Sequence, residues 1–308
     1  MDKITRRTML AALGGGVAAA ALFPFGAQAS PDDLITKKIP SSGEQMPVIG
    51  MGTWQTFNVG GDPELLKQRT EVLAAFFKGG GRIIDSSPMY GSSQDALGWG
   101  LNKLGDPKRL FAADKVWTSD GDETVEQIVE SRKEWDIPRF DLMQVHNLVA
   151  WQEHLPKLQK LKADNKIRYV GITTSHGRRH GEFEEVMKTQ DLDFVQLTYN
   201  MIDREVEERL LPLAAERNIA VIANRPFRGG GLVDRYQGKH KLPAWASEIE
   251  CANWPQFLLK FIVSHPAVTC AIPATTKVEH MRENMGAARG KLPDAKTRKR
   301  MLEYVASL

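Results

Sequence analysis

Four residues in the first half of the chain have the types and spacing for acid–base chemistry at a polar double bond: Asp85, Tyr90, Lys115 and His146. A tyrosine with an ordinary pKa of about 10 gives up its proton poorly near neutrality. A neighbouring ammonium favours the phenolate and draws that pKa down. The ammonium in turn needs a carboxylate, because an unpaired buried charge is costly. Lys115 and Asp85 supply such a pair. A neutral imidazole at His146 could donate a hydrogen bond to a carbonyl oxygen and turn it towards Tyr90. None of these side chains carries a hydride, so reduction by this set requires a cofactor.

The set works only if the chain brings its members together. Asp85, Lys115 and His146 each stand at the end of a short apolar run, at 82–85, 110–116 and 141–146. Further runs at 47–54, 167–173, 194–199, 220–224 and 268–273 make eight. They are rich in Val, Ile and Leu and unbroken, as buried parallel strands are. Between them lie amphipathic stretches. Leu65, Leu66, Val72, Leu73, Phe76 and Phe77 share one helical face before Gly79-Gly80-Gly81 ends it. Leu155, Leu158 and Leu161 form another such face, as do Val206, Leu210, Leu211 and Ala214. Eight strand–helix units in about 250 residues predict an α/β fold, a single-domain (β/α)8 TIM barrel spanning 30–308. Active sites of such barrels lie at the C-terminal strand ends, so the four residues converge on one mouth. A doubly wound open sheet would begin with G-x-G-x-x-G. Gly50-Met51-Gly52 continues as Thr-Trp-Gln-Thr and lacks the third glycine. Two segments fall outside the repeat: 227–253, expected as a long loop, and a basic tail at 294–308, expected as a solvated helix face.

The pattern resembles the aldo-keto reductases, whose Asp-Tyr-Lys-His tetrad occupies these strand ends in this order. The resemblance runs from about 37 to 288, and its most specific pieces are G-M-G-T-W at 50–54, D-S-S-P-M-Y-G at 85–91 and R-E-N at 282–284. Ser86 and Ser87 stand where the family has Thr and Ala. The resemblance implies that Tyr90 donates the proton, Lys115 and Asp85 tune it, and His146 positions a small-molecule carbonyl substrate. It implies NADP(H) as cofactor, with NAD(H) as the alternative, held in part by Gly52, Thr53 and Trp54. Thr173 and Thr174 replace the family's Ser and Asn at the nicotinamide amide, and Gln196 matches its glutamine there. Asn224 stands where the family stacks a tyrosine on the ring. Arg225 and the backbone around Phe227 and Gly229 suit the diphosphate, since glycines let N–H groups approach an anion closely. Asn284 keeps the adenine position and Thr275 a hydroxyl for the 2′-phosphate. Ala274 and His280 replace the family's Lys and Arg, and Lys277 offers a charge in their stead. The resemblance also implies that Trp54 and Trp117, at strand ends by the mouth, line an apolar substrate pocket, with core packing as the alternative. A second reading, a redox-sensing or partner-binding module that holds nucleotide with little turnover, would carry substitutions within the tetrad. None is present. His176 and His180 are four apart but lack the accompanying Glu of a metal-binding helix, so no metal is expected.

The chain opens with T-R-R-T-M-L at 5–10, an apolar stretch at about 9–25 and Ala27-Gln28-Ala29. This is the pattern of a twin-arginine-type signal peptide at 1–29, cleaved on export to the periplasm by the twin-arginine machinery. The apolar stretch is too short and too rich in Gly and Ala to favour a lasting membrane anchor. The 308 residues carry 41 basic and 38 acidic side chains, a net charge of +3. Without the leader the charges nearly balance, which leaves no electrostatic case for nucleic acid. Two cysteines, Cys251 and Cys270, are too few for a disulfide scaffold and are expected as small packed residues.

Overall fold

The eight apolar runs become eight parallel strands of one sheet in the computed structural model, which describes residues 34–105 and 109–308. The expected leader at 1–29 lies outside the described residues. A short antiparallel hairpin comes first, β1 (Thr36–Lys38) paired with β2 (Gln45–Pro47). The barrel strands follow: β3 (Met51–Gly52), β4 (Ile83–Asp85), β5 (Phe111–Val116), β6 (Leu142–Val145), β7 (Tyr169–Thr173), β8 (Phe194–Thr198), β9 (Ala220–Asn224) and β10 (Cys270–Ala271). Each pairs with its neighbour in sequence. First and last meet through Gly50 N–H to Ala271 O (2.8 Å), Ala271 N–H to Val48 O (3.0 Å) and Gly52 N–H to Pro273 O (3.2 Å). Gly50 is required at this seam, because a Cβ there would lie 2.4 Å from Ile83 Cγ2.

The N-terminal end of the barrel is filled by Ile39, Met46, Ile83, Phe111, Phe194 and their neighbours. Phe111 stacks on Tyr169 with centroids 5.7 Å apart, and Tyr169 meets Phe194 edge-on at 5.4 Å. The hairpin lies over this floor. Its Glu44 accepts from Arg82 (2.8 Å), Tyr169 OH (2.9 Å) and Arg168.

The helices are α1 (Pro63–Lys78), α2 (Ser93–Leu104), α3 (Thr124–Glu134), α4 (Trp151–Ala163), α5 (His180–Thr189), α6 (Leu210–Glu216), α7 (Gly231–Tyr236), α8 (Trp254–Val263), α9 (Val278–Gly286) and α10 (Ala295–Ala306). Their apolar faces and the outer face of the sheet form the main core. In α1, Asp62 caps the N-terminus by accepting from the Glu64 and Leu65 N–H groups, and Leu66, Val72, Leu73 and Phe76 are buried. Among the described residues no helix is long and apolar enough to cross a membrane. Both cysteines are free and buried.

Two expectations change. The segment 227–253 contains α7 and a 3-10 turn, Ala244–Ile249, rather than one long loop. Gly229 and Gly230 turn the chain with φ of 72° and 98°, and Tyr236 then stacks on Trp254 at 4.8 Å. Aromatic packing supplies the burial that six residues of periodicity could not reveal. In α10, Arg298 leaves the solvated face. It donates to Tyr199 OH (2.7 Å) and Glu207 (3.1 Å), and its guanidinium lies 4.1 Å from the Phe261 ring centroid. Lys296, Lys299 and Arg300 remain exposed.

Candidate active site

Asp85 closes β4 and pairs in register with Ala113 on β5. Lys115, two residues on, therefore projects from the same face of the strand. Its Nζ donates to Asp85 Oδ2 (2.6 Å) and to Ser86 O (2.7 Å), and both charged side chains are buried. Lys115 pairs in turn with Gln144 on β6. The Gln144 amide donates to Asp85 Oδ1 (3.1 Å), as does that of Gln196 from β8 (2.8 Å). One carboxylate oxygen thus faces the ammonium and the other two amides.

Tyr90 ends a 3-10 turn, Pro88–Tyr90, whose first N–H groups are capped by Ser87: Met89 N–H donates to Ser87 Oγ (3.2 Å). The same hydroxyl lies 2.9 Å from His146 Nδ1 and so fixes the imidazole. Lys115 Nζ stands 5.0 Å from the Tyr90 ring centroid, and the Tyr90 and His146 rings meet edge-on at 5.8 Å. The four residues picked out by spacing are together. Gln144 and Ser87 were not anticipated. The signal for Gln144 is its place two residues before His146 on one strand, and that for Ser87 is its departure from the family's Ala.

Burial pushes the Tyr90 phenol above its usual range, Lys115 pulls it down, Asp85 pushes it up, and the net direction is upward. The expectation that the ammonium alone brings the phenol towards neutrality is therefore not met in the bare protein, because burial outweighs it. Burial weakens the hold of Lys115 on its proton, but Asp85 and then Tyr90 more than offset this, so Lys115 stays charged. Burial, followed by the charge of Lys115, drives His146 down to about 3, so its imidazole is neutral. Asp114, on the opposite face of β5, is buried; its Oδ2 accepts from Gln94 (2.7 Å), and its Oδ1 has no partner among the described residues.

Several of the residues expected to hold a nucleotide stand at the strand ends around this site, among them Gly52, Thr173, Thr174, Gln196 and Asn224. Thr173 Oγ1 accepts the Asn147 N–H (2.9 Å), and Thr174 Oγ1 donates to Arg178 O (2.5 Å). Asn224 donates to Thr174 O (2.9 Å). Gly52 has no room for a side chain: a Cβ would lie 3.0 Å from Ile272 O. Thr53 is buried, and its hydroxyl donates to Asp85 O (3.0 Å) and lies 2.9 Å from Ser86 Oγ, so it props the segment that carries the carboxylate. Trp54 is 39% exposed, with the Arg225 guanidinium 5.9 Å from its ring centroid, and Trp117 is 43% exposed. Arg225 has a φ of 50°, and its carbonyl is held by Asn200 (3.1 Å). Phe227 is buried, and Arg228 pairs with Asp203 (3.1 Å). Among the described residues neither Arg178 nor Arg225 forms an ion pair. Thr275, Lys277 and Asn284 lie apart from this network, around the end of β10 and in α9. Lys277 is exposed and its N–H donates to Thr275 Oγ1 (3.1 Å), while Asn284 is buried. His176 and His180 share no helical face, since α5 begins at His180.

Comparison with known proteins agrees with this fold. The model of the aldo/keto reductase family matches residues 48–299. Methylglyoxal reductase YeaE of Escherichia coli is 25% identical, over 84% of this chain and 92% of that protein. An NADH-specific methylglyoxal reductase of Escherichia coli is 24% identical, over 84% of this chain and 95% of its own length. Among solved structures, the aldo/keto reductase from Klebsiella pneumoniae in complex with NADP and acetate superposes with a TM-score of 0.72 at 22% identity, covering 85% of this chain and 92% of that one. With the family model spanning most of its length, and the strand-end tetrad assembled at its mouth, this chain belongs to the aldo/keto reductase family.

Proposed function

We propose that the protein reduces the carbonyl group of a small molecule to an alcohol, with NADP(H) as hydride source and Tyr90 as proton donor. The observation that carries this reading is the buried Lys115–Asp85 pair set against the Tyr90 ring. The residues present fit a nicotinamide nucleotide. Among the described residues neither Arg178 nor Arg225 has a carboxylate within ion-pair distance, although the charge of Asp203 acts on Arg225, and an anionic diphosphate would supply such a partner. Thr174, Gln196 and Asn224 stand at the carboxamide end, where their polar groups already bond to one another and to Asp85 and would share those bonds with the nucleotide, and Thr275, Lys277 and Asn284 suit the 2′-phosphate and adenine.

The nicotinamide, when bound, supplies the hydride. The protein does the rest. Neutral His146 donates a hydrogen bond to the substrate oxygen and turns it towards Tyr90. Tyr90 O–H gives its proton to that oxygen as negative charge develops there. Lys115 stabilises the phenolate left behind, and Asp85 keeps Lys115 charged and in place. Hydride on carbon and proton on oxygen complete the alcohol. Because two of the relatives are named as methylglyoxal reductases, a small dicarbonyl is the first substrate to test.

The decisive experiment compares wild type with Tyr90→Phe in methylglyoxal-dependent oxidation of NADPH and of NADH. The substitution keeps the ring and removes the hydroxyl. Nucleotide affinity should hold, while turnover should fall by about 10²–10⁴, as expected for a lost general acid. Near wild-type turnover in Tyr90→Phe would remove this residue from the mechanism. We further propose that residues 1–29 direct export by the twin-arginine route, on the strength of Arg6-Arg7 and Ala27-Gln28-Ala29.

A further inference from the structure

A continuous line of hydrogen bonds runs from the end of β8 to the charge pair. The Thr198 hydroxyl donates to Asn224 Oδ1 (2.7 Å). Asn224 Nδ2 donates to Thr174 O (2.9 Å) and to Gln196 Oε1 (3.4 Å). Gln196 Nε2 donates to Asp85 Oδ1 (2.8 Å), and Asp85 Oδ2 accepts from Lys115 (2.6 Å). The direction of the line is dictated from one end. An ionised carboxylate only accepts, so Gln196 must turn its NH₂ towards Asp85 and its carbonyl away. That carbonyl is buried and needs a donor, which Asn224 provides. Asn224 is then left with its own oxygen for Thr198. Each amide has one orientation that satisfies both neighbours, and the reverse would set a carbonyl against the carboxylate.

We infer that Asn224 is a positioning residue for the Asp85–Lys115–Tyr90 set: it holds the Gln196 amide with its NH₂ on Asp85, so that the carboxylate charge is shared between Lys115 and two amides. This rests on the reading of Tyr90 as proton donor. The aromatic ring that the resemblance places at this position would offer no amide to Gln196, so its replacement by Asn is a gain of contact and not only a loss of stacking. The titratable groups facing Tyr90 are Asp85 from β4, Lys115 from β5 and His146 after β6, and the charge of Asp114 reaches it from the far face of β5. His146 is neutral, so the balance at Tyr90 is struck among the two carboxyls and the ammonium. When Gln196 rotates away, Asp85 loses a donor, more of its field reaches the phenol, and Tyr90 becomes a weaker acid.

The test is an alkaline titration of the cofactor-free protein by tyrosinate difference absorbance, with Tyr90→Phe subtracted to isolate Tyr90. Asn224→Leu should raise the Tyr90 midpoint by about half a pH unit or more. Gln196→Leu should do the same, and the double variant should shift no further than either single one, because both act along one line. Thr198→Val, which removes only the hydroxyl at the far end, should give a smaller shift in the same direction and serves if Asn224→Leu does not fold. The alkaline limb of the carbonyl-reduction rate should move in parallel. An unchanged or lowered midpoint in Asn224→Leu, with NADPH binding weakened, would make Asn224 a cofactor contact only and overturn the inference. Additive shifts in the double variant would also overturn it. The titration needs no substrate, so a wild type that reduces no carbonyl would count against the proposed function and not against this link.

Discussion

Asp114 and Lys115 are neighbours on β5 and project from opposite faces of it, one into the helix layer and one towards the mouth. Burial drives the Asp114 carboxyl up to about 7, with the charge of Lys115 acting against that rise. The unfolded chain ionises this group from about pH 4, while the folded chain keeps its proton to about 7. Its effect on stability is therefore absent in acid, grows as a penalty between those values and is constant above them. Holding the proton across about three pH units costs the fold roughly 4 kcal/mol. Asp114→Asn should accordingly raise the melting temperature at pH 8, with the gain shrinking towards pH 4. A gain that does not vary with pH would show that the carboxyl is not held neutral. His146 works with the opposite sign: its folded pKa lies near 3 against 6.5, so stability is lost as pH falls between them. At this scale the tetrad was legible, because Asp85, Lys115 and His146 stand at strand ends and Tyr90 follows one closely. Gln144 and Ser87 were not, since each takes its role from a partner on another strand that only register brings near. The direction of the Tyr90 shift was not legible either, because desolvation depends on burial rather than on which residues are present.

Among the elements, the hairpin β1–β2 shows how little sequence can suffice to close a barrel end. Each strand has three residues, too few for a periodic signal. What fixes it is Glu44, which gathers Arg82, Arg168 and Tyr169 around one carboxylate. Arg168 also holds Asp141 at 2.7 Å, so the cluster ties the hairpin to β4, β6 and β7 together. Glu44→Gln removes the charge with little change of shape. It should lower stability by about 1.5–3 kcal/mol, the range for a hydrogen bond to a charged group, measured by denaturant unfolding. Nucleotide affinity should not change, because the cluster lies at the floor and the tetrad at the mouth. A fall in nucleotide affinity as large as the fall in stability would contradict that separation. The eight barrel strands were legible from unbroken apolar runs, as were the longer helices from their faces. The six residues of α7 and the inward turn of Arg298 were not, because each depends on an aromatic partner distant in sequence.

For the whole molecule, the paired arginines and the small-residue site at 27–29 predict where the barrel works. Replacing Arg6 and Arg7 with lysine should leave the protein in the cytoplasm with its leader uncut. Mature protein beginning at Ser30 in that double variant would rule out the twin-arginine route. The fold class was legible at this scale because eight similar units in one chain admit few closed arrangements. The substrate was not, because it depends on the mouth side chains and on how exposed indoles such as Trp54 and Trp117 are covered when a ligand arrives.

The two thiols give the molecule an internal clock. Burial raises Cys251 to about 11 and Cys270 to about 12, so neither presents a thiolate at neutral pH while the fold is intact. An alkylating reagent reads them only when the surrounding structure opens. Cys270 lies in β10, where the sheet meets itself, and its modification reports the breaking of that seam. Cys251, 8% exposed between the 3-10 turn and α8, sits where a smaller local fluctuation is enough. Mass spectrometry of alkylation over time should therefore show Cys251 labelled first and Cys270 later, at the rate of global unfolding. If both labelled together, the 244–254 segment would open only with the whole barrel. The same burial keeps both thiols out of reach of oxidants in solution for as long as the fold holds.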